Sequence, residues 1–217
     1  MDATAPVTEP AEDPGDDSAL RRPVDKHDAR RTALAESALK TLGERGFAKT
    51  SLREIAQNSE FSHGVVHYYF RNKSELITYC VRYYKTRCAT RYDDIVETAT
   101  SAAEFRTRFL ERLSGTLIQD AQMHRLWYDV RSQALFDDTL RTDSRDIDTL
   151  LEAMIWRVLG RFAELVGQQV NAEPSVAYAA FDGLFQRALL AQVSGDADAG
   201  ERLERDVVAL LPLLLVE

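Results

Sequence analysis

Residues 50–76 read TSLREIAQNSEFSHGVVHYYFRNKSEL, and this stretch decides the predicted fold. Ser51, with Glu54 three positions later, forms a capping box, which predicts the start of an amphipathic helix. A second, shorter helix is predicted to open at Ser62 and to run to Phe70, after a tight turn. Two short helices joined in this way form the arrangement that lays a recognition helix in the major groove of DNA.

The second helix of this pair is too short to be stable alone, so it has to pack against its neighbour. Val66 and Phe70, four residues apart, provide the apolar anchors for that packing. The side chains predicted to face outward are those of His63, Val65, His67 and Tyr68. Asn72 and Glu75 repeat the capping signature and predict the start of the next helix.

This stretch and the helix before it resemble the N-terminal DNA-binding domain of the tetracycline-repressor (TetR) family of bacterial one-component regulators. The matching residues are Arg31, Leu34, Ala38, Leu42, Gly46, Phe47, Thr50, Ile55, Ala56, Phe61, Ser62, Gly64, Tyr68, Phe70, Lys73 and Leu76. They span about a quarter of the chain. Two positions depart from the family pattern. Glu60 stands where the family usually has a glycine, which would tolerate positive φ more readily, and His67 stands where it usually has a tyrosine.

The distribution of charge fits a nucleic-acid partner although the net charge of −8 does not. Residues 1–23 carry six acidic side chains against two arginines, a balance of −4. Residues 24–73 carry nine lysines or arginines against six acidic side chains, a balance of +3. The basic region therefore coincides with the predicted DNA-reading motif, where phosphate contacts depend on local placement.

Composition also narrows the class of protein. With 217 residues, 45% of them hydrophobic, the chain can bury one or two cores. Cys80 and Cys88 lie about 12 Å apart along one predicted helix, too far for a disulfide. No apolar run reaches the length of a membrane span, and the acidic N-terminus lacks the core of a signal peptide. We expect a cytoplasmic protein with no membrane partner and, since no nucleophile elbow or phosphate-binding loop is present, no enzyme activity and no cofactor.

The predicted fold class is all-α, with an N-terminal three-helix DNA-binding domain and a C-terminal helical ligand-binding and dimerisation domain. Residues 1–24 are expected to form a disordered acidic tail, residues 25–71 the helix-turn-helix domain and residues 72–217 the second domain. Helices are predicted at about 26–45, closed by Gly46 and Phe47, at 72–98, and at 101–118, 120–136, 138–168, 174–194 and 198–215. Pro212 is expected to end or kink the last of them.

The last two predicted helices are too apolar for single surface helices, because residues 175–194 are apolar on nearly every face. These helices have to be covered on both sides, which predicts a homodimer whose subunits each contribute a pair of helices. The family resemblance implies the same four-helix contact. The residues proposed for this interface are Tyr178, Phe181, Phe185, Leu189, Leu203, Val207 and Leu210.

The central helices are rich in aromatic residues, for most of which ordinary core packing is the simpler interpretation. The resemblance implies that a small effector binds inside this domain, where such rings would line a cavity. The candidate ligand-binding residues are Phe105, Phe109, Met123, Trp127, Tyr128, Asp129, Trp156 and Phe162. Rings near the carboxylates of Asp129, Glu152 or Asp182 would suit a lipophilic cation. From about residue 123 to 195 the chain also resembles the choline-responsive BetI branch, a likeness that supports the architecture better than it supports choline.

These observations lead to the hypothesis of a homodimeric transcriptional repressor that binds palindromic double-stranded operator DNA and is released by a small molecule. His63 and Val65 are predicted to contact base edges, the valine through thymine's methyl group. The complete predicted DNA-binding set is Arg31, Thr50, Ser51, Ser62, His63, Val65, His67, Tyr68 and Lys73. The family implies that effector binding makes the long helix after Asn72 swing the two DNA-binding domains out of register. If either histidine donates to DNA as an imidazolium, operator affinity should rise as the pH falls through about 6.5.

Two alternatives remain at this stage. A helical dimer that senses a ligand without binding an operator is motivated by Glu60 and the acidic balance. A metal site is the other, because Glu60, His63 and His67 can share one helical face and a histidine pair four apart is a known zinc spacing. The neighbours of these histidines match the DNA-reading pattern, which favours the regulator.

Overall fold

The chain, seen in a computed structural model that describes residues 22–46 and 49–217, is all-α as predicted. Its helices are α1 (Arg22–Arg45), α2 (Leu52–Gln57), α3 (His63–Tyr69), α4 (Lys73–Ala89), α5 (Asp93–Thr98), α6 (Ala102–Gln119), α7 (Ala121–Gln133), α8 (Asp138–Val166), α9 (Pro174–Val193) and α10 (Ala199–Leu210). The first helix begins four residues before its predicted start. The predicted acidic tail lies, up to residue 21, outside the described residues, as does Phe47.

Local capping explains why α2 and α3 form where the sequence predicts them. The Ser51 hydroxyl accepts from the Glu54 backbone N–H at 3.2 Å, and the Glu54 carboxylate accepts from the Ser51 N–H at 2.9 Å. Ser62 caps α3 in the same way. Val66 and Phe70 are fully buried, so the short α3 is held by tertiary packing.

Glu60 occupies the turn between α2 and α3 without the strain that a positive φ would impose. No non-glycine residue in the described ranges has a positive φ. The turn is held instead by Ser59, whose hydroxyl accepts from the Phe61 N–H and donates to the Ala56 carbonyl, each at 3.2 Å. The difference from the family pattern at Glu60 therefore does not distort the DNA-reading unit.

The prediction of one helix from residue 72 to about 98 is wrong, because α4 and α5 are separate. The chain turns at residues 90–92, and Arg157 of α8 stabilises the break. Its guanidinium donates to the carbonyl of Ala89 at 2.7 Å and pairs with Asp93 at 2.9 Å. One arginine thus satisfies the C-terminal end of α4 and the acidic start of α5.

The C-terminal domain is a helical bundle. In it α4 packs against α8, α8 against α9, and α9 against α10, which in turn packs against α6. The last α-helix ends next to Pro212, as predicted: α10 stops at Leu210, and a 3-10 helix that contains Pro212 follows over Leu211–Leu214. An unpredicted antiparallel pair, β1 (Gln169–Val170) and β2 (Leu215–Val216), joins the end of the chain to the end of α8. Cys80 and Cys88 are free and buried in α4. Across the described ranges, no helix has the length and apolar character needed to cross a membrane.

Candidate nucleic-acid interface and ligand cavity

The outer face of α3 presents polar and aromatic side chains to solvent. His63 and His67 are exposed, and Tyr68 is 74% exposed. The two histidines converge, with their Nε2 atoms 3.2 Å apart. Val65 differs from the prediction, because it is half-buried and packs against the core. Its isopropyl group is therefore less available to a thymine methyl than the outward orientation predicted.

Two residues predicted to contact DNA are used inside the chain instead. The Arg31 guanidinium lies over the rings of Phe70 and Tyr79, at 4.9 and 4.5 Å from their centroids. It also pairs with Glu75 at 3.2 Å, so it joins α1 to α4. Thr50 is buried, and its hydroxyl donates to the carbonyl of Gly46 at 2.8 Å. These contacts correct the prediction that the side chains of Arg31 and Thr50 contact DNA.

The remaining predicted residues lie at helix starts. Ser51 and Ser62 are exposed N-caps of α2 and α3, and Lys73 is half-buried at the start of α4. The Ser51 hydroxyl is engaged twice with Glu54, since it accepts from the backbone N–H and donates to the carboxylate. The Ser62 hydroxyl accepts from the Val65 N–H, and its own hydrogen is available to another acceptor.

Sequence reasoning missed the exposed polar face of α2. Arg53 and Gln57, one helical turn apart, line a shallow depression together with Ser62 and His63 of α3. Arg53 forms no ion pair with any residue that the structure describes. The signal was available, because both residues fall opposite the buried face of a capped amphipathic helix. Between the two helices the surface thus offers hydrogen-bond donors and one guanidinium.

A cavity of about 80 Å³ lies inside the C-terminal domain. Side chains from α4, α6, α7, α8 and α9 line it, among them Lys85, His124, Trp127 and Asp182. Of the eight predicted ligand-binding residues, Trp127 alone belongs to this lining. The sequence signal for Lys85 was a cation on the otherwise buried face of α4 and the one lysine after residue 73.

The other predicted ligand residues have different roles. Phe105, Phe109 and Phe162 pack together in the core, with centroids 6.0 to 6.4 Å apart. Tyr128 donates to the Asp182 carboxylate at 2.8 Å. Met123 and Asp129 lie against the DNA-binding domain, beside Gly43 and Gly46 respectively. Trp156 is half-buried and packs on the core. These placements correct the predicted lining.

A chain of hydrogen bonds fixes the tautomer of the buried His124. Thr116 Oγ1 donates to Asp120 at 3.0 Å, so at 3.2 Å it has to accept from His124 Nε2–H. His124 Nδ1 is then the acceptor for Lys85 Nζ, 3.3 Å away. Burial, with the positive charge of Lys85 beside it, holds the pKa of His124 well below its ordinary value, so the ring is neutral.

Lys85 is the unusual charge of the cavity, because it is only 4% exposed. Burial lowers the pKa of the Lys85 ammonium to about 8, which leaves it mostly protonated at neutral pH. Asp182 is the one carboxylate among the described lining residues, and it is already bound by Tyr128 and Arg131. Asp129 and Glu152 are absent from that lining. A buried ammonium and a carboxylate that is already bound do not favour the predicted lipophilic cation.

Comparison with known proteins places these features in a family. Residues 34–80, which contain the helix-turn-helix unit, match the family described as bacterial regulatory proteins, tetR family. The helix-turn-helix part of the chain is thus similar to the domain that defines this family. HTH-type transcriptional regulator BetI of Burkholderia thailandensis is 26% identical to it over 185 residues, which cover 84% of this chain and 93% of that protein. The similarity thus extends over most of the length of both proteins.

Two solved structures share the fold of this chain. The transcriptional regulator FadR from Bacillus subtilis, in complex with stearoyl-CoA, has a TM-score of 0.67 at 16% identity, covering 83% of this chain and 96% of that chain. A regulator from Saccharomonospora viridis in complex with choline has a TM-score of 0.70 at 16% identity, covering 88% and 99%. The two bound molecules differ in charge and size, so the shared fold does not specify a ligand.

Most of the predicted dimer-interface residues lie in the core of the single chain. Tyr178, Phe181, Leu189, Leu203 and Val207 are buried there, while Phe185 and Leu210 are half-buried. An apolar sequence pattern does not tell which side of a helix the chain itself covers. The exposed apolar side chains of this region are Val176, Leu190 and Val193 on α9, Val208 on α10 and Leu213. A subunit contact through α9 and α10 would use exposed residues such as these.

The two domains of the chain touch where α1 packs against α4 and α7. Gly43 of α1 faces Met123, the residue before the cavity-lining His124. A Cβ atom at Gly43 would overlap Met123 Cε and would lie 3.1 Å from Gln122 Cβ. The cavity and the DNA-binding domain are thus separated by one helix, α7, with close packing on both sides.

The alternative of a metal site finds no support in the geometry. Among the residues that the structure describes, no group of three or more histidine, cysteine, aspartate or glutamate side chains is placed to hold a metal ion. This includes the predicted trio of Glu60, His63 and His67.

Proposed function

We propose that this chain is a tetR-family regulator, a cytoplasmic homodimeric repressor that binds palindromic operator DNA and releases it when a small molecule fills the cavity of the C-terminal domain. One observation carries the proposal: a capped, tightly packed α3 presents exposed donors next to an exposed guanidinium on α2. A face of this kind suits both the base edges and the phosphates of a major groove.

The contacts follow from exposure and chemistry. His63 and His67 contact base edges, and Ser62, Tyr68 and Arg53 bind phosphates. Gly64 opens the middle of this face, because no other side chain or distant backbone atom lies within 4 Å of the position its Cβ would take. The absence of a side chain there allows the backbone of α3 to approach the DNA closely.

The homodimer forms through the exposed faces of α9 and α10. The solvent side of α9 carries a stripe of apolar and small residues, interrupted by the exposed Gln186 and made of Val176, Ala179, Gly183, Leu190 and Val193. Small residues let two helices approach closely, so this stripe suits a paired-helix contact with its copy. Such a dimer would present its two α3 helices to half-sites about 34 to 36 Å apart.

Release requires that the effector prefer a conformation in which the two DNA-binding domains are out of register. The packing suggests the route. A ligand that contacts His124 acts on α7, and the preceding residue of α7, Met123, packs against Gly43 of α1. Displacement of α7 would therefore tilt α1 and the helix-turn-helix that it carries.

Selection of bound fragments from random DNA by the purified full chain tests the proposal. We expect enrichment of a palindrome whose half-sites are one helical turn or slightly more apart, and loss of that enrichment with His63→Ala. No enriched sequence would contradict it. If ligand binding persisted without enrichment, the chain would be a ligand-sensing dimer that does not read DNA.

A further inference from the structure

We propose that the effector is a small monocarboxylate whose carboxylate accepts hydrogen bonds from Lys85 Nζ and whose compact apolar body fills the rest of the cavity. This inference rests on the proposed function, since it names the chemical class of the molecule that the regulator senses. Four features of the cavity support it: hydrogen-bond donors without a partner, a buried cation without an ion pair, acceptors that already hold hydrogen bonds, and the size of the cavity.

The cavity holds polar donors that the chain leaves unused. An ammonium group has three N–H donors. Lys85 Nζ donates one to His124, and no further hydrogen bond joins it to a described residue. Trp127, which also lines the cavity and is 1% exposed, has an indole Nε1–H with no partner among the described residues. Lys85 Nζ lies 5.5 Å from the centroid of that indole. Two donor groups in one cavity call for an acceptor on the ligand.

Lys85 is the cavity cation that forms no ion pair with a described residue, although Arg131 contacts two carboxylates, those of Asp182 and Asp148. The neighbouring carboxylates are each bound by an arginine, because Asp182 pairs with Arg131 and Asp120 pairs with Arg91 at 2.9 Å. Lys85 itself has no carboxylate within ion-pair distance among the described residues; its ammonium lies near the neutral ring of His124 and the faces of Tyr84 and Trp127. A buried cation without a counter-ion is unfavourable, so an anionic ligand is favoured and a cationic one is disfavoured.

Acceptors inside the cavity are already engaged. Both nitrogens of His124 take part in the hydrogen-bond chain, and the Thr116 hydroxyl has used its hydrogen on Asp120. A ligand rich in donors, such as an amine, would find only acceptors that already hold hydrogen bonds, among them the Asp182 carboxylate. A carboxylate presents acceptors only, which matches the donors of Lys85 and Trp127.

Size and polarity restrict the rest of the molecule. A volume of about 80 Å³ corresponds to about five to eight water-sized spheres, which suits acids of about six to nine non-hydrogen atoms. The remaining lining is largely apolar and includes Leu113, Leu151, Ile155 and Phe181. Butyrate and benzoate span the expected range and serve as probes.

Calorimetric titration of the full chain at pH 7 tests the assignment, with butyrate and benzoate compared against butyramide, benzamide and the cation benzylamine. We expect at least one acid to bind, and its amide and the amine to bind at least tenfold more weakly. Lys85→Met should weaken binding of the acid at least tenfold, and Trp127→Phe should weaken it less. Lys40→Met, at an exposed lysine of α1, should leave it unchanged.

Binding of neither acid, or equal binding to the wild type and Lys85→Met, would overturn the inference. If Lys85→Met fails to fold, Trp127→Phe and the comparison of acid with amide decide the outcome. Operator binding of the ligand-free protein is measured on the same samples. Intact operator binding without acid binding would refute the carboxylate site alone, whereas acid binding without operator binding would refute the repressor and leave the site standing.

Discussion

Lys85 places a cation on the buried face of α4, where an apolar side chain would stabilise the fold better. No ion pair offsets the free-energy cost of burying this ammonium, because each nearby carboxylate already binds an arginine. A residue that weakens the fold and lines a cavity is the kind that proteins retain for function. The sequence pattern marked the position only as a lysine on an apolar helix face.

Lys85→Met is expected to leave the thermal stability at pH 7 unchanged or to raise it, because a buried, uncompensated charge is replaced by an apolar side chain of similar length. The folded-state pKa of about 8 lies below the ordinary value of 10.5. The unfolded chain therefore binds more protons between these values, and the penalty from Lys85 is full below pH 8 and fades as the pH rises towards 10.5. The melting temperatures of the wild type and Lys85→Met should therefore converge as the pH rises from 7 to 10. Both proteins share the other groups around position 85, which are Tyr84, Cys88, Arg91, His124, Arg131 and Asp182. A constant difference, or a strongly destabilised variant, would contradict this account.

Gly64 has a different role, which a pair of glycine substitutions can isolate. Alanine at Gly64 or at Gly160 of α8 meets no atom within 4 Å, so each change should stabilise its helix by about 0.5–1 kcal/mol. Gly64→Ala should nevertheless weaken operator binding, because its methyl group lies on the face of α3 that approaches DNA. Fluorescence anisotropy with labelled operator and chemical denaturation measure the two effects. Equal operator affinity for both variants would mean that α3 does not approach the DNA closely at this point.

Among the helices, the sequence could predict the boundaries that local contacts determine. The capping residues Ser51, Ser62 and Asn72 fixed the starts of α2, α3 and α4 as predicted, since each contact spans three residues. The break after α4 depends on Arg157, 68 residues away from Ala89, and no local signal marks it. The cavity likewise depends on contacts such as that between Lys85 and His124, which only the tertiary fold brings together.

The contact of α1 with α7 is the element on which the proposed release depends. Gly43→Ala overlaps Met123 and crowds Gln122, so the two helices have to separate or the side chains have to move. Overpacking of this kind costs about 1–3 kcal/mol, and we expect it to weaken operator binding by tilting the DNA-binding domain. Adding Met123→Ala should restore part of the affinity, because it removes the nearest clashing atom. Unchanged operator affinity in Gly43→Ala would show that the spacing of α1 and α7 does not control DNA binding.

For the whole molecule, the sequence indicated a dimer through α9 and α10 but assigned residues that the chain uses for its own core. Apolar character alone could not separate Leu189, which is buried, from Leu190, which is 67% exposed. The exposed side of α9 depends on which face the other helices cover, and α8 and α10 together decide it. The interface on α9 and α10 stays a prediction, and the side chains assigned to it have to be replaced by exposed ones.

Leu190→Asp is expected to dissociate the proposed homodimer, because it places a charge within the proposed apolar contact. Leu135→Asp provides a matched control, since Leu135 is 72% exposed in the turn between α7 and α8. Sedimentation velocity should show a dimer for the wild type and the control and a monomer for Leu190→Asp. The same molecular weight for all three proteins would place the interface elsewhere or exclude a dimer.

The most direct test of the regulator is binding of the purified full chain to three labelled duplexes across a salt series. The first carries the palindrome enriched by selection, the second has one half-site scrambled, and the third is random DNA of equal length. The proposed dimer predicts saturable binding to the palindrome at least about 10³-fold tighter than to random DNA, with the single half-site in between and all three weakening as salt rises. Equal, weak binding to the three duplexes would contradict the assignment of α3 as a DNA-reading helix.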